Sequence, residues 1–127
     1  IVAYKTSPRQ SIKLVLDTVR LALEKEEVTA ELQLHSDQGF QYASQSYFAL
    51  TTQYGITPSM SRRANPYDNA MAENFFSILK FECIRLFKTE TIREAQTLID
   101  SYIAFYNHER IQLNSKLSPI EKRRLFA

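Results

Sequence analysis

One stretch constrains this chain more than any other. The alternating Leu32-Gln33-Leu34-His35 runs straight into Ser36-Asp37-Gln38-Gly39, and a helical repeat carrying Glu73 and Lys80 follows further along. Alternation that ends at a glycine predicts a short strand breaking into a turn. Asp37 then stands at the carboxyl end of a strand, the end outside which open α/β sheets bind ligands. Glu73 lies in MAENFFSILKFECIRLF, where Phe76, Leu79, Cys83 and Leu86 recur at helical spacing. Lys80 follows Glu73 by seven residues, nearly two turns, which predicts the same helix face roughly 10 Å further along the axis. One face then offers an acid for metal and a base for phosphate.

The rest of the chain supplies alternating elements. Ile1 to Tyr4 reads as the end of a strand. Ser7-Pro8-Arg9-Gln10 reads as an N-cap, a first-turn proline and a capping-box Gln, opening a helix to about Glu26 with Ile12, Val15, Leu16, Val19 and Leu23 on one stripe. Ser44 or Ser46 opens a short helix with Tyr47, Leu50 and Tyr54 on one face, ended by Gly55. Ile56 to Ser59 reads as a strand that Pro58 restricts to an edge. Asp68 reads as an N-cap before the Glu73 helix, with a third site carboxylate as the other reading. Thr91-x-x-Glu94 starts a helix burying Ile92, Ala95, Leu98, Ile99, Tyr102, Ile103 and Tyr106. Ser118-Pro119-Ile120-Glu121 opens a short basic one. Strand, helix, strand, helix predicts an α/β sheet flanked by helices in one domain over residues 1–127.

Composition excludes several function classes. No apolar run reaches the ~18 residues of a membrane span, so no membrane association is expected. The single Cys83 cannot form an internal disulfide, which fits a cytoplasmic protein. Two glycines, Gly39 and Gly55, are too few for a Gly-rich phosphate loop, and zinc-type Cys and His spacings are absent. The net charge of +2 is small but uneven: residues 1–60 hold 5 bases and 6 acids, and residues 61–127 hold 11 bases and 8 acids. Any basic footprint for nucleic acid therefore belongs to the C-terminal half. Arg62 and Arg63, beside the turn signal Asn65-Pro66, either hold phosphates or are solvated; Lys122, Arg123 and Arg124 leave the same choice open. His35 is open to two readings as well, a metal ligand or a hydrogen-bonded brace.

Three blocks carry a resemblance: HSDQGFQY (35–42), SRRANPYDNAMAENFFSILK (61–80) and YNHERIQLNSKLSPIE (106–121). Together they resemble the catalytic core of bacterial insertion-sequence transposases of the DDE type, related to retroviral integrases. The resemblance implies a ribonuclease-H-like fold, a mixed sheet flanked by helices, on which two aspartates and a glutamate hold two divalent ions, Mg²⁺ or Mn²⁺. By position Asp37 matches the second aspartate, Glu73 the glutamate and Lys80 the basic residue seven positions later, with Arg62 and Arg63 as further DNA contacts. No residue matches the first aspartate, and the chain opens on IVAY without Met, so it is expected to be an N-terminally truncated part of a longer transposase. In the tail block Gln112 stands where the family commonly has His, two positions after Arg110.

The implied activity is metal-dependent DNA cleavage and strand transfer, with transposon ends and target DNA as partners and a homo-oligomer as the working form. The alternative for this chain is a catalytically silent DNA-binding or self-associating fragment. In-line displacement at phosphorus suits two ions about 3.5 to 4 Å apart that activate the attacking oxygen and stabilise the leaving one. Carboxylates from different elements must converge to hold them.

Overall fold

The computed structural model describes residues 1–28 and 30–126, and the chain forms two compact units. One spans Val2–Glu73; the other takes in the residues from Asn74 onward together with Ile1.

The first unit is built on a parallel pair of strands, β1 (Leu32–Ser36) and β2 (Ile56–Met60), in the register Leu32↔Ile56 through Ser36↔Met60. Parallel strands need a crossover, and here it contains helix α2 (Gln45–Gln53). Ser44 caps α2 by accepting from the Tyr47 amide at 3.1 Å. Tyr47, Leu50 and Thr51 form its buried face, and Ile56 of β2 is buried as well. Tyr54, expected on that face, is instead the exposed C-cap residue. Gly55 follows at φ +66°, the left-handed conformation that turns the chain into β2.

Helix α1 (Ile12–Lys25) packs against α2. It begins later than the Ser7-Pro8 signal predicts: Ser7 Oγ accepts from the Arg9 amide in a local turn, whereas Ser11 Oγ accepts from the Leu14 amide and is the true cap. The Ser7 bond closes a turn with no helix behind it, because helical residues begin only at Ile12, directly after Ser11. Ile1 to Tyr4 form no strand, because no segment among the described residues offers them a ladder.

Helix α3 (Ala70–Leu79) passes from the first unit into the second, where a π-helical turn, Lys80–Ile84, continues it. Its signature is the Arg85 amide donating to the Lys80 carbonyl at 2.9 Å. Helix α4 (Ile92–His108) is capped by Thr91, and α5 (Pro119–Leu125) starts with a full capping box between Ser118 and Glu121. The second unit's core joins Leu79, Cys83 and Tyr102, with Phe75, Ile78, Leu98 and Tyr106 packed around them. Phe76 and Leu86, predicted for this stripe, are 56% and 68% exposed. In the regular part of the helix Phe75 takes the core-facing place beside Phe76, and Leu86 lies past the end of the π turn at Ile84, beyond the helical repeat. Glu82 is clasped there by Arg110, through contacts of 2.7 to 3.1 Å, and accepts from the Tyr102 hydroxyl at 2.6 Å.

Candidate active site

Asp37 leaves β1 one residue after its last ladder position. Its Oδ1 accepts from the Gly39 amide at 2.7 Å, an Asx-type turn that fixes the carboxylate against its own backbone. Gly39 is required by closeness: a Cβ there would stand 2.9 Å from Asp37 Oδ1 and 2.8 Å from Gln41 Oε1. Tyr42 bonds back to the Gly39 carbonyl, and its hydroxyl is pushed above the usual phenol range by burial and then by the charge of Asp37.

Behind Asp37 the two strands are tied together by polar groups that periodicity cannot reveal. The Ser61 amide donates to the Ser36 carbonyl at 2.8 Å, extending the ladder by one bond, and its Oγ donates to the same carbonyl at 3.2 Å. His35 Nε2 lies 3.0 Å from the Ser61 hydroxyl, within hydrogen-bond distance. His35 Nδ1 lies 2.9 Å from the Ser59 hydroxyl. Both ring nitrogens are engaged, which makes His35 a brace across the ends of β1 and β2 and leaves neither nitrogen free for a metal. Gln38 Nε2 adds a bond to the Ser61 carbonyl at 3.1 Å.

The loop from Ser61 to Asn69 closes the other side. Asp68 is not an N-cap; Asn65 is, accepting from the Tyr67 amide at 3.0 Å to start the 3-10 turn Pro66–Asn69. Asp68 instead holds Arg62 three ways: Oδ2 accepts from its backbone amide at 2.8 Å and from Nε at 2.9 Å, and Oδ1 accepts from Nη2 at 3.0 Å. These bonds from Arg62 draw the Asp68 carboxyl down to about 2. At the loop's tip Ala64 takes φ 56°, a left-handed conformation that costs a non-glycine residue about 1–2 kcal/mol.

Asp37, Gln38, Arg63, Asn65, Asn69 and Glu73 share a cleft of about 380 Å³ whose remaining lining is Ser61, Arg62 and Ala64. Glu73 reaches it from the first turn of α3, where the helix's positive end favours a carboxylate. The structure thus brings together four of the residues singled out in the sequence, Asp37, Glu73, Arg62 and Arg63. Lys80 is exposed at the first position of the π-helical turn, outside the cleft lining. Among the described residues no three His, Cys, Asp or Glu side chains converge. The donor set of the cleft is oxygen only: two carboxylates with no ion-pair partner among the described residues and the amides of Gln38 and Asn69. That chemistry fits a hard divalent cation better than a soft one. Asp37 and Glu73 would hold it.

Comparison with known proteins converges on one family. Two family profiles, both described as integrase core domain, match residues 1–66 and residues 73–124. The putative transposase InsK of insertion sequence IS150 from Escherichia coli K12 is 39% identical over 124 residues, 97% of this chain and 44% of that protein. The transposase of insertion sequence IS904 from Lactococcus lactis is 44% identical over 112 residues, 87% of this chain and 44% of that protein. The chain therefore spans a little under half the length of these curated relatives. In structure it resembles the catalytic core domain of BIV integrase, with TM-score 0.69 and 20% identity over 97% of this chain and 80% of that one. It also resembles a chain of the simian T-cell lymphotropic virus intasome, at 0.73 and 16%, over 88% of this chain and 40% of that one. The fold is that of the retroviral integrase catalytic cores, ribonuclease-H-like, and the chain belongs to the integrase core family of DDE-type insertion-sequence transposases.

Proposed function

We propose that this chain supplies part of the catalytic centre of a DNA transposase that cuts and joins phosphodiester bonds with the help of Mg²⁺ or Mn²⁺. One observation carries the reading: Asp37 and Glu73, with thirty-five residues between them in sequence, line one cleft together with a basic loop. When bound there, divalent ions supply Lewis-acid activation of the oxygens at the reacting phosphorus. The chain's own residues do the rest. Asp37, fixed by the Gly39 amide, and Glu73, on the rigid first turn of α3, present oxygen ligands from two different elements. The loop that carries Arg62 and Arg63 holds backbone phosphates of transposon-end and target DNA without reading sequence, and Lys80 is a further cation available to phosphate. A homo-oligomer is the natural working form, since two DNA ends have to be joined to one target.

The test uses a chain extended to the length of its relatives, incubated with labelled duplex and Mg²⁺. Asp37→Asn and Glu73→Gln keep shape while removing charge, so each abolishes strand transfer with melting temperature unchanged. Near-normal turnover in either variant overturns the assignment.

A further inference from the structure

Within that reading the two adjacent arginines of the loop are not equivalent. Arg62 spends its backbone amide, its Nε and one Nη on Asp68, all between 2.8 and 3.0 Å. Arg63 is exposed, lines the cleft, and has no ion pair among the described residues. We infer that Asp68 divides this pair: it neutralises Arg62 and makes it a strut of the loop, and so leaves Arg63 as the cation that takes a DNA phosphate at the cleft.

The reason is electrostatic as well as geometric. A side-on Arg–carboxylate fork carries no net charge, so a phosphate that approaches it gains little and releases little counterion. The fork is also a closed ring of structure. It joins residues 62 and 68 through both backbone and side chain, and the bond from the Asn65 amide to the Arg62 carbonyl, 3.2 Å, tightens the turn inside it. Ala64 is held in its left-handed conformation within that turn, a cost that the surrounding bonds offset. Asp68 is thus a positioning residue for the loop that presents Arg63, Asn65 and Asn69 to the cleft.

The inference rests on the DNA reading above, and the test separates the two. Binding of this chain to a mixed-sequence DNA duplex is measured against salt concentration for the wild type and four variants, with amide hydrogen exchange at Arg62 followed in parallel. Arg63→Ala lowers the slope of log affinity against log salt by about one, the value of one lost phosphate contact. Arg62→Ala leaves the slope unchanged. Asp68→Asn raises the slope by about one, because it frees a cation, and accelerates exchange of the Arg62 amide; a merely destabilised loop gives no such gain. Arg62→Ala combined with Asp68→Asn returns the slope to the wild-type value. If Arg62→Ala lowers the slope as Arg63→Ala does, or Asp68→Asn fails to raise it, the division is wrong. If the wild type shows no salt-dependent binding at all, the DNA reading falls and the role of Arg63 with it. Unchanged exchange at the Arg62 amide in Asp68→Asn overturns the clasp by itself.

Discussion

The Gly39 amide donates to Asp37 Oδ1 at 2.7 Å, and there is no room beside that bond for a Cβ. The two residues act as one unit: a carboxylate at a strand end, held by the turn that follows it. Gly39→Ala therefore displaces the Asp37 carboxylate and the Gln41 side chain. Both are side-chain ends, so the fold loses little stability, while the site loses alignment. In the extended protein we expect turnover to fall about 100-fold, as misplacement by about 1 Å does in other active sites. Thermal melting alongside a strand-transfer assay checks this; full turnover in Gly39→Ala contradicts it.

At Gly55 the expected effect is on stability alone. Its φ of +66° is penalised for any residue with a Cβ, yet the space around it is open. Gly55→Ala should cost about 1–2 kcal/mol through the backbone, with no steric contribution. Urea unfolding measures it. A neutral result shows that the turn relaxes out of the left-handed region.

How much of this was legible beforehand depends on the kind of bond. Asp37 could be placed because alternation stops at a glycine, and Glu73 because a helical repeat surrounds it. Thr91 and Ser118 were legible as caps because each sits at a fixed offset before an apolar run, whereas Ser44 was one of two candidates with Ser46 until its bond to the Tyr47 amide was seen. Ser7 misled for the same reason: Ser11 sits equally well before that run, and only the observed bonds separate them. Asp68 was misread as a cap because its partner, Arg62, lies six residues back across a loop, a pairing that no periodicity encodes. The His35 brace depends on parallel register, His35 opposite Ser59, which exists only once β1 and β2 are paired. Phe76 lost its place on the predicted stripe to its neighbour Phe75, and Leu86 lies past the end of the π turn at Ile84, where the helical repeat has stopped.

In the second unit the pair Glu82–Arg110 makes a pH prediction. The Arg110 guanidinium, and secondarily the Tyr102 hydroxyl, hold the Glu82 carboxyl below its ordinary value of 4.5. A group depressed by folding contributes stability above its unfolded pKa and loses it as pH falls through the folded one. Arg110→Ala should therefore cost stability at pH 7, and the gap from wild type should close as pH drops below about 4.5. Bonds to a charged group are worth about 1.5–3 kcal/mol. The Glu82 side chain is 39% exposed, so water screening reduces the expected loss to about 1 kcal/mol. Urea unfolding at pH 7 and pH 3 gives the comparison; a gap that stays constant between them removes the pair as its cause.

Divalent-ion binding to this chain should be weak, because only Asp37 and Glu73 bring negative charge to the cleft and their repulsion opposes bringing them together without a cation. Titration with Mn²⁺ should show binding that either Asp37→Asn or Glu73→Gln removes, with folding intact. Binding that survives both substitutions lies elsewhere on the protein.

Anomalous diffraction from Mn²⁺-soaked crystals shows whether Asp37 and Glu73 form one oxygen site for a divalent ion. The expected result is an anomalous peak in the cleft, within coordination distance of both carboxylates and lost in Asp37→Asn. A peak at another site, with the carboxylates of Asp37 and Glu73 ordered and bare, would contradict it.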